Sequence, residues 1–285
     1  MKKRIEGALS AGVARATDGA PPTLAEAIRY AVFPGGARVR PHLCLAVASA
    51  CGDDRPRIAD AAACSIELLH CASLVHDDLP CFDDAATRRG KASVHCVYGE
   101  AIALLVGDAL IVQAYECLAG IGGFASDRLP GLLQILTRAA GSPNGLVAGQ
   151  AWESEPHPDL ETYHRAKTGA LFVASTMAGA VAAGREGASW RLLGERLGEA
   201  YQVADDLLDA VADPEEANKP VLQDTTRSRP SAVLELGVYG ALAKLRALVD
   251  EAVAAIPDVP GAEPLRQLVR LQAKRLVPKA LQTAA

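Results

Sequence analysis

The chain has 285 residues, 50% of them hydrophobic, enough to bury a large core and to exclude a disordered polypeptide. Its 29 basic and 34 acidic residues give a net charge of −5 with no Lys/Arg-rich stretch, so nucleic acid is not an expected partner. Aromatic residues make up only 4%, and Ala, Leu and Val carry the apolar content without strand-length alternation, which predicts an all-α protein.

The first residues, Met1-Lys2-Lys3-Arg4-Ile5-Glu6, are basic, but Glu6 and Arg15 interrupt what would be the apolar part of a signal peptide, so a cytoplasmic protein is expected. Prolines at 21–22, within 34–41, at 56 and 80, and within 130–143, 156–158, 214–230 and 257–264 leave long Pro-free segments that suit helices. The apolar stretch 101–122 carries Asp108 and Glu116, which are costly in lipid, and 171–184 is too short to span a bilayer, so no transmembrane segment is expected. Neither a Gly/Ser-rich linker nor a repeat divides the chain, and residues 1–285 read as one domain. Seven cysteines, at 44, 51, 64, 71, 81, 96 and 117, show no Cys-x-x-Cys pair and no zinc-ligand spacing; they are expected to be reduced and mostly buried.

Two acidic clusters stand out. The first, His76-Asp77-Asp78-Leu79-Pro80-Cys81-Phe82-Asp83-Asp84, closes an apolar helical pattern in which His70, Ser73 and Asp77 share a side. Six residues on an ideal helix would set Asp83 about 120° from Asp77, so gathering both carboxylates requires a break, which Pro80 supplies. The second cluster lies in a helical pattern where Ala204, Leu207, Leu208 and Val211 form one stripe and Gln202, Asp205, Asp206 and Asp209 another. No basic residue falls between Arg196 and Lys219 to neutralise that stripe. Two carboxylates about 4 Å apart repel by roughly 4 kcal/mol at an effective dielectric near 20, so a visiting cation is expected. An all-oxygen donor set favours Mg²⁺, which keeps waters and shares the phosphates of a substrate.

With both clusters in view, the chain resembles the trans-prenyltransferases, the polyprenyl diphosphate synthase family, and within it the bacterial geranylgeranyl diphosphate synthases of carotenoid and chlorophyll pathways. The first family motif, Asp-Asp-x4-Asp followed by Arg-Arg-Gly, is matched by Asp77, Asp78, Asp83, Arg88, Arg89 and Gly90; the second, Gln-x-x-Asp-Asp-x-x-Asp, by Gln202, Asp205, Asp206 and Asp209. The resemblance implies an isoprenoid-synthase-type bundle of long helices around a deep central cavity, usually a homodimer. It implies about three Mg²⁺ ions, bridged to substrate by Asp77 and Asp83 on one side and Asp205 on the other, with Asp78, Asp206 and Asp209 assisting. Arg88, Lys167 and Lys219 match positions that hold an allylic diphosphate, and Arg40, His70 and Arg89 match positions that hold isopentenyl diphosphate. Lys167, Thr168, Gln202 and Lys219 are the expected catalytic residues, with the oxygens of Thr168 and Gln202 facing developing positive charge.

The implied reaction is head-to-tail condensation of isopentenyl diphosphate with an allylic diphosphate. Ala72 and Ser73 stand where relatives making shorter products carry a bulky aromatic, which points to a twenty-carbon product; a fifteen-carbon farnesyl diphosphate synthase is the alternative. A terpene cyclase would not need Arg40, His70 and Arg89, and a regulatory subunit often lacks an acidic motif. Two departures from the family pattern appear. Gly35-Gly36-Ala37-Arg38-Val39-Arg40-Pro41 has alanine in place of a phosphate-binding lysine, a contact worth about 1.5–3 kcal/mol, and Arg38 is the adjacent cation available to compensate. Asn218-Lys219-Pro220-Val221-Leu222-Gln223-Asp224 lacks the usual glycines, and Arg227-Ser228-Arg229 replaces a later lysine.

Overall fold

Proline opens three of the helices, where its fixed φ suits a first turn whose N–H groups have no partner within the helix. The computed structural model describes residues 1–33, 35–157, 159–211 and 231–277. The chain runs through α1 (Lys2–Thr17), α2 (Pro22–Val32), α3 (Val39–Cys51) and α4 (Pro56–Asp77), then α5 (Val94–Tyr98), α6 (Glu100–Ala119), α7 (Leu129–Ala140) and α8 (Leu146–Trp152). It continues with α9 (Leu160–His164), a π-helical turn at Arg165–Gly169, α10 (Ala170–Ala182) and α11 (Arg191–Val211), and after the gap with α12 (Ala232–Ala254) and α13 (Ala262–Leu276). The all-α expectation holds with one small exception among the described residues. Thr87–Arg88 and Lys91–Ala92 pair as a two-stranded antiparallel hairpin, β1 and β2. Arg89 and Gly90 form its two-residue turn with φ of 54° and 74°, the positive values that a primed hairpin turn demands.

The core is built on α4, which packs along α6, while α10 packs on α3, α4 and α11. Small residues let these helices approach closely. A Cβ at Gly179 of α10 would stand 2.4 Å from the Cys44 carbonyl oxygen of α3, and one at Gly198 of α11 would stand 2.8 Å from the Gly169 Cα. The second contact seats α11 directly beside the π-helical turn, the step that brings the second acidic cluster to the first. α4 and α6 are long and apolar enough to cross a membrane, but α4 is mostly buried within the fold. The outer face of α6 leaves Leu104, Leu105 and Val112 exposed at 50%, 50% and 68%. Cys44, Cys51, Cys64, Cys71 and Cys117 are buried, Cys81 and Cys96 are exposed, and all seven are free thiols.

Arg38 departs from expectation. It adopts a left-handed backbone (φ 51°) before α3 and turns its guanidinium inward, where it donates to Glu67 at 2.7 Å, Glu6 at 3.0 Å and the Val32 carbonyl at 2.9 Å. Only glycine at 35 leaves room, since a Cβ there would stand 1.9 Å from the Arg38 Cζ. Burial works against the charged guanidinium, yet the Glu67 hydrogen bond and charge outweigh it and raise the Arg38 pKa. The Arg38 guanidinium is thus tied to two carboxylates, while the residue also borders the cavity that Ala37 and Arg40 line. Removing one partner of such a buried pair leaves an uncompensated charge, so Arg38→Met should lower the unfolding free energy by about 3 kcal/mol or more. Urea denaturation checks this, and an unchanged midpoint would show that the pair does not hold α3 to α4.

Candidate active site

α4 stops at Asp77 because Pro80 cannot continue the helix, and the chain curls back on itself. The Asp83 N–H donates to the Asp77 carbonyl at 3.0 Å and the Ala85 N–H to the Asp78 carbonyl at 3.2 Å, which returns Asp83 to the end of α4. The break expected from the sequence is present. Burial raises the Asp77 pKa; Lys167 pulls it down, Asp83 and Glu153 push it up, and the net shift is upward. Lys167 Nζ sits 3.0 Å from Asp77 Oδ1 and 2.7 Å from Glu153 Oε2, so one ammonium serves two acids.

Lys167 and Thr168 lie on the π-helical turn between α9 and α10, a distortion that recurs at functional sites because it re-aims side chains. From that turn the Thr168 hydroxyl donates to Gln202 Oε1 at 3.1 Å, and Gln202 Nε2 donates to Asp206 Oδ1 at 3.0 Å. Asp206 Oδ2 in turn accepts the Ala232 N–H at 2.8 Å, which caps the first turn of α12. Asp206 is 5% exposed and both of its oxygens are engaged. Asp78, 3% exposed, is likewise held by Arg88 through Nε at 2.8 Å and Nη2 at 2.5 Å. The sequence reading placed both in the metal-ligand set. In the structure the second carboxylate of each Asp-Asp pair is bonded to the scaffold, Asp78 to Arg88 and Asp206 to Gln202 and the Ala232 N–H. Asp209 is buried one turn beyond Asp205 on α11. Lys219 lies outside the described residues, as do residues 218–229 of the altered loop.

Two cavities adjoin at this cleft. The first, of about 410 Å³, is lined by Arg40, Arg88, Arg89, His70, Gln202 and Asp205 together with Ala37, Thr168 and Tyr201. Arg40 lies over the Phe172 ring at 4.8 Å and over Tyr201 at 5.8 Å, and its buried Nε has no hydrogen-bond partner. Arg40 Nη1 and Arg89 Nη2 lie 3.4 and 3.2 Å from His70 Nε2, which therefore accepts as a neutral imidazole. Burial, then Arg40 and Arg89, push the His70 pKa well below its ordinary value. Among the described residues neither Arg40 nor Arg89 pairs with a carboxylate. Uncompensated cations around an orphaned donor make a site for an anion with several oxygens.

The second cavity, about 480 Å³, runs from Asp77, Lys167 and Thr168 into apolar walls that include Leu69, Ile111, Leu146 and Leu171. Ala72 and Ser73 are on its lining, where the sequence reading placed the control of product length. Arg40, His70, Leu74 and Thr168 border both cavities, so Asp77 and Asp205 open onto one continuous cleft.

Among the described residues no three acidic, His or Cys side chains converge into a ready-made metal centre. The donor chemistry nevertheless fits Mg²⁺. Asp77, Asp83 and Asp205 offer oxygen alone, and the Asp83 charge that raises the Asp77 pKa is the repulsion a divalent cation relieves. A cation that takes its remaining ligands from water and phosphate does not need a complete protein cage. Glu153, Phe172 and Tyr201 were not anticipated. Glu153 also accepts from the Tyr163 hydroxyl and so braces Lys167, but its sequence neighbours carry no pattern that marks it. Tyr201 precedes the second acidic motif directly, the one signal that could have found it.

The polyprenyl synthetase family profile matches residues 21–257. The geranylgeranyl diphosphate synthase of Cereibacter sphaeroides is 53% identical over 279 residues, covering 98% of this chain and 97% of that protein. Among solved structures, geranylgeranyl pyrophosphate synthetase from Pyrococcus horikoshii superposes with a TM-score of 0.82 at 27% identity, covering 98% of each chain. Geranyltransferase from Helicobacter pylori, complexed with magnesium and isoprenyl diphosphate, gives 0.78 at 30% identity, covering 95% of this chain and 98% of that one.

The neutral His70 has a measurable consequence. In the unfolded chain it titrates near its ordinary value of 6.5, whereas in the fold it resists protonation. Below that pH the unfolded state binds a proton that the folded state refuses, so stability is complete above it and lost on acidification, by up to about 1.4 kcal/mol per pH unit from this group. The urea midpoint should therefore fall less steeply between about pH 7 and 5 in His70→Gln than in the parent. Parallel slopes would contradict the assignment.

Proposed function

Because the chain belongs to the polyprenyl synthetase family, we propose that it is a trans-prenyltransferase that joins isopentenyl diphosphate head-to-tail to an allylic diphosphate and releases geranylgeranyl diphosphate. The observation that carries this reading is the adjoining pair of cavities, one cationic and one apolar, with Asp77 and Asp205 on their walls. A substrate with a diphosphate head and a hydrocarbon tail fits a cleft of that polarity.

The difficult step is departure of the allylic diphosphate, which leaves a delocalised carbocation. Magnesium, bound between the acidic clusters and the substrate, would neutralise charge building on the leaving group. Lys167 and Arg88, which rest on Asp77 and Asp78, stand where they can transfer donors to that diphosphate. Arg40, Arg89 and the neutral His70 hold isopentenyl diphosphate, and its double bond attacks the cation. The hydroxyl oxygen of Thr168 and the amide oxygen of Gln202, fixed by the chain of bonds through Asp206 to α12, face the positive charge. Apolar walls keep water from capturing it, and holding both reactants together removes much of the entropic barrier. A proton is then lost to the departed diphosphate. Lys219 completes the allylic site in this proposal.

We assign the exposed apolar face of α6, with Leu104, Leu105 and Val112, to the interface of a homodimer. A cytoplasmic location and a single catalytic domain over residues 1–285 belong to the same proposal.

Incubation with Mg²⁺, farnesyl diphosphate and isopentenyl diphosphate, followed by extraction, tests the reading. Elongation to twenty carbons supports it; a cyclised hydrocarbon without elongation, or no product, overturns it. Asp77→Asn should lower kcat/KM at least about 100-fold, the scale on which a charge-stabilising group acts. Ala72→Tyr places a phenol ring in the apolar cavity and should shift the main product from twenty carbons to fifteen; an unchanged product length would show that α4 does not set it.

A further inference from the structure

On the far side of α4, remote from the cleft, three helices meet around a pair of thiols. Cys64 of α4 and Cys117 of α6 are 2% and 4% exposed, with their Sγ atoms 3.8 Å apart. Arg15 of α1 donates from Nη2 to Cys117 Sγ at 3.2 Å, and Gln113 Nε2 lies 3.7 Å from the same sulfur. α1 can cross this closely because residue 12 is glycine: a Cβ there would stand 3.2 Å from each Sγ. A cavity of about 540 Å³ opens at this point. Both thiols line it, beside Lys3, Arg15 and Arg57, with Asp60 and Glu116 also on its wall.

We propose that Cys117 and Cys64 form a hydroperoxide-reactive dithiol site, with Cys117 as the attacking thiolate and Cys64 as the resolving thiol. The other five cysteines lack this arrangement of a paired sulfur, an arginine donor and a cavity. The contacts with Cys64, then with Gln113 and Arg15, lower the Cys117 thiol below its ordinary range against the opposing effect of burial, while the same sulfur contact and burial push Cys64 up. One partner is thus primed to react and the other keeps its proton until it is needed.

The chemistry balances without a metal. Cys117 thiolate attacks the distal peroxide oxygen; the S–O bond forms, the O–O bond breaks, and the departing alkoxide or hydroxide takes a proton. Cys64 sulfur then attacks the Cys117 sulfenic acid, losing its proton; the S–S bond forms, the S–O bond breaks, and hydroxide leaves as water. The two sulfurs supply the two electrons that reduce the peroxide. Closure requires the sulfurs to approach from 3.8 Å to about 2.0 Å. The product ties α4 to α6, and an external dithiol restores both thiols by exchange.

The test treats the intact protein with a few equivalents of hydrogen peroxide, alkylates the remaining thiols and maps the peptides. A linked Cys64–Cys117 peptide lacking two hydrogens, removed by dithiothreitol and formed while the helical circular dichroism is unchanged, is expected. In Cys64→Ser, dimedone should trap a sulfenic acid at Cys117. Arg15→Gln should slow the linkage about threefold or more near neutral pH, since a weaker thiolate population is only partly offset by greater nucleophilicity. The proposal is overturned if the exposed Cys81 and Cys96 consume the oxidant while Cys64 and Cys117 stay alkylatable, or if the link forms only in denaturant.

Discussion

Half-buried carboxylates set beside one another need compensating charge, and the architecture of the cleft follows from that need. Asp77, Asp83 and Glu153 are gathered where α4 ends, and Lys167 and Arg88 reach in from the π-helical turn and the hairpin to neutralise them. Each cation is therefore fixed by an acid before any substrate arrives. A diphosphate that takes over those donors arrives at side chains already oriented, so little of its binding energy goes into ordering them.

The two members of each acidic pair differ in their surroundings. Asp77 and Asp205 lie on the walls of the cleft, whereas Asp78 and Asp206 bond to Arg88, Gln202 and the first turn of α12. An inward carboxylate fixes the helix that carries its outward neighbour. On a helix surface adjacent residues point about 100° apart, so two consecutive aspartates cannot both face one ligand without distortion. One of them is available to the scaffold as a direct result of helical geometry.

Much of this was legible in the sequence because helical periodicity and proline are local properties. The stripe of Gln202, Asp205 and Asp209 and the break after Asp77 follow from spacing, and the small residues at 72 and 73 were singled out by the family resemblance. What was not legible depends on contacts between distant segments. Arg38 reads as a loop cation beside a phosphate-binding arginine, yet Glu67, twenty-nine positions away, and a left-handed backbone turn it inward. Glu153 shows no pattern, and only the fold brings it to Lys167. The hairpin at 87–92 is too short to display alternation, so composition predicted helix and loop there. Arg38, Arg40, Arg88 and Arg89 all border the cationic cavity, and of these Arg38 is the one bonded to Glu67 and Glu6.

That hairpin carries a wider implication. Arg88 and Arg89 are neighbours in the chain and both border the cationic cavity, but one bonds Asp78 and the other lies against His70. A left-handed corner separates the two directions. The proposed assignment of Arg88 to one diphosphate and Arg89 to the other makes their spacing depend on the dihedral angles of a single dipeptide. Under that same proposal, register between electrophile and nucleophile is inherited from one tight reversal of the main chain, and lengthening the reversal uncouples the reactants even with every functional group retained.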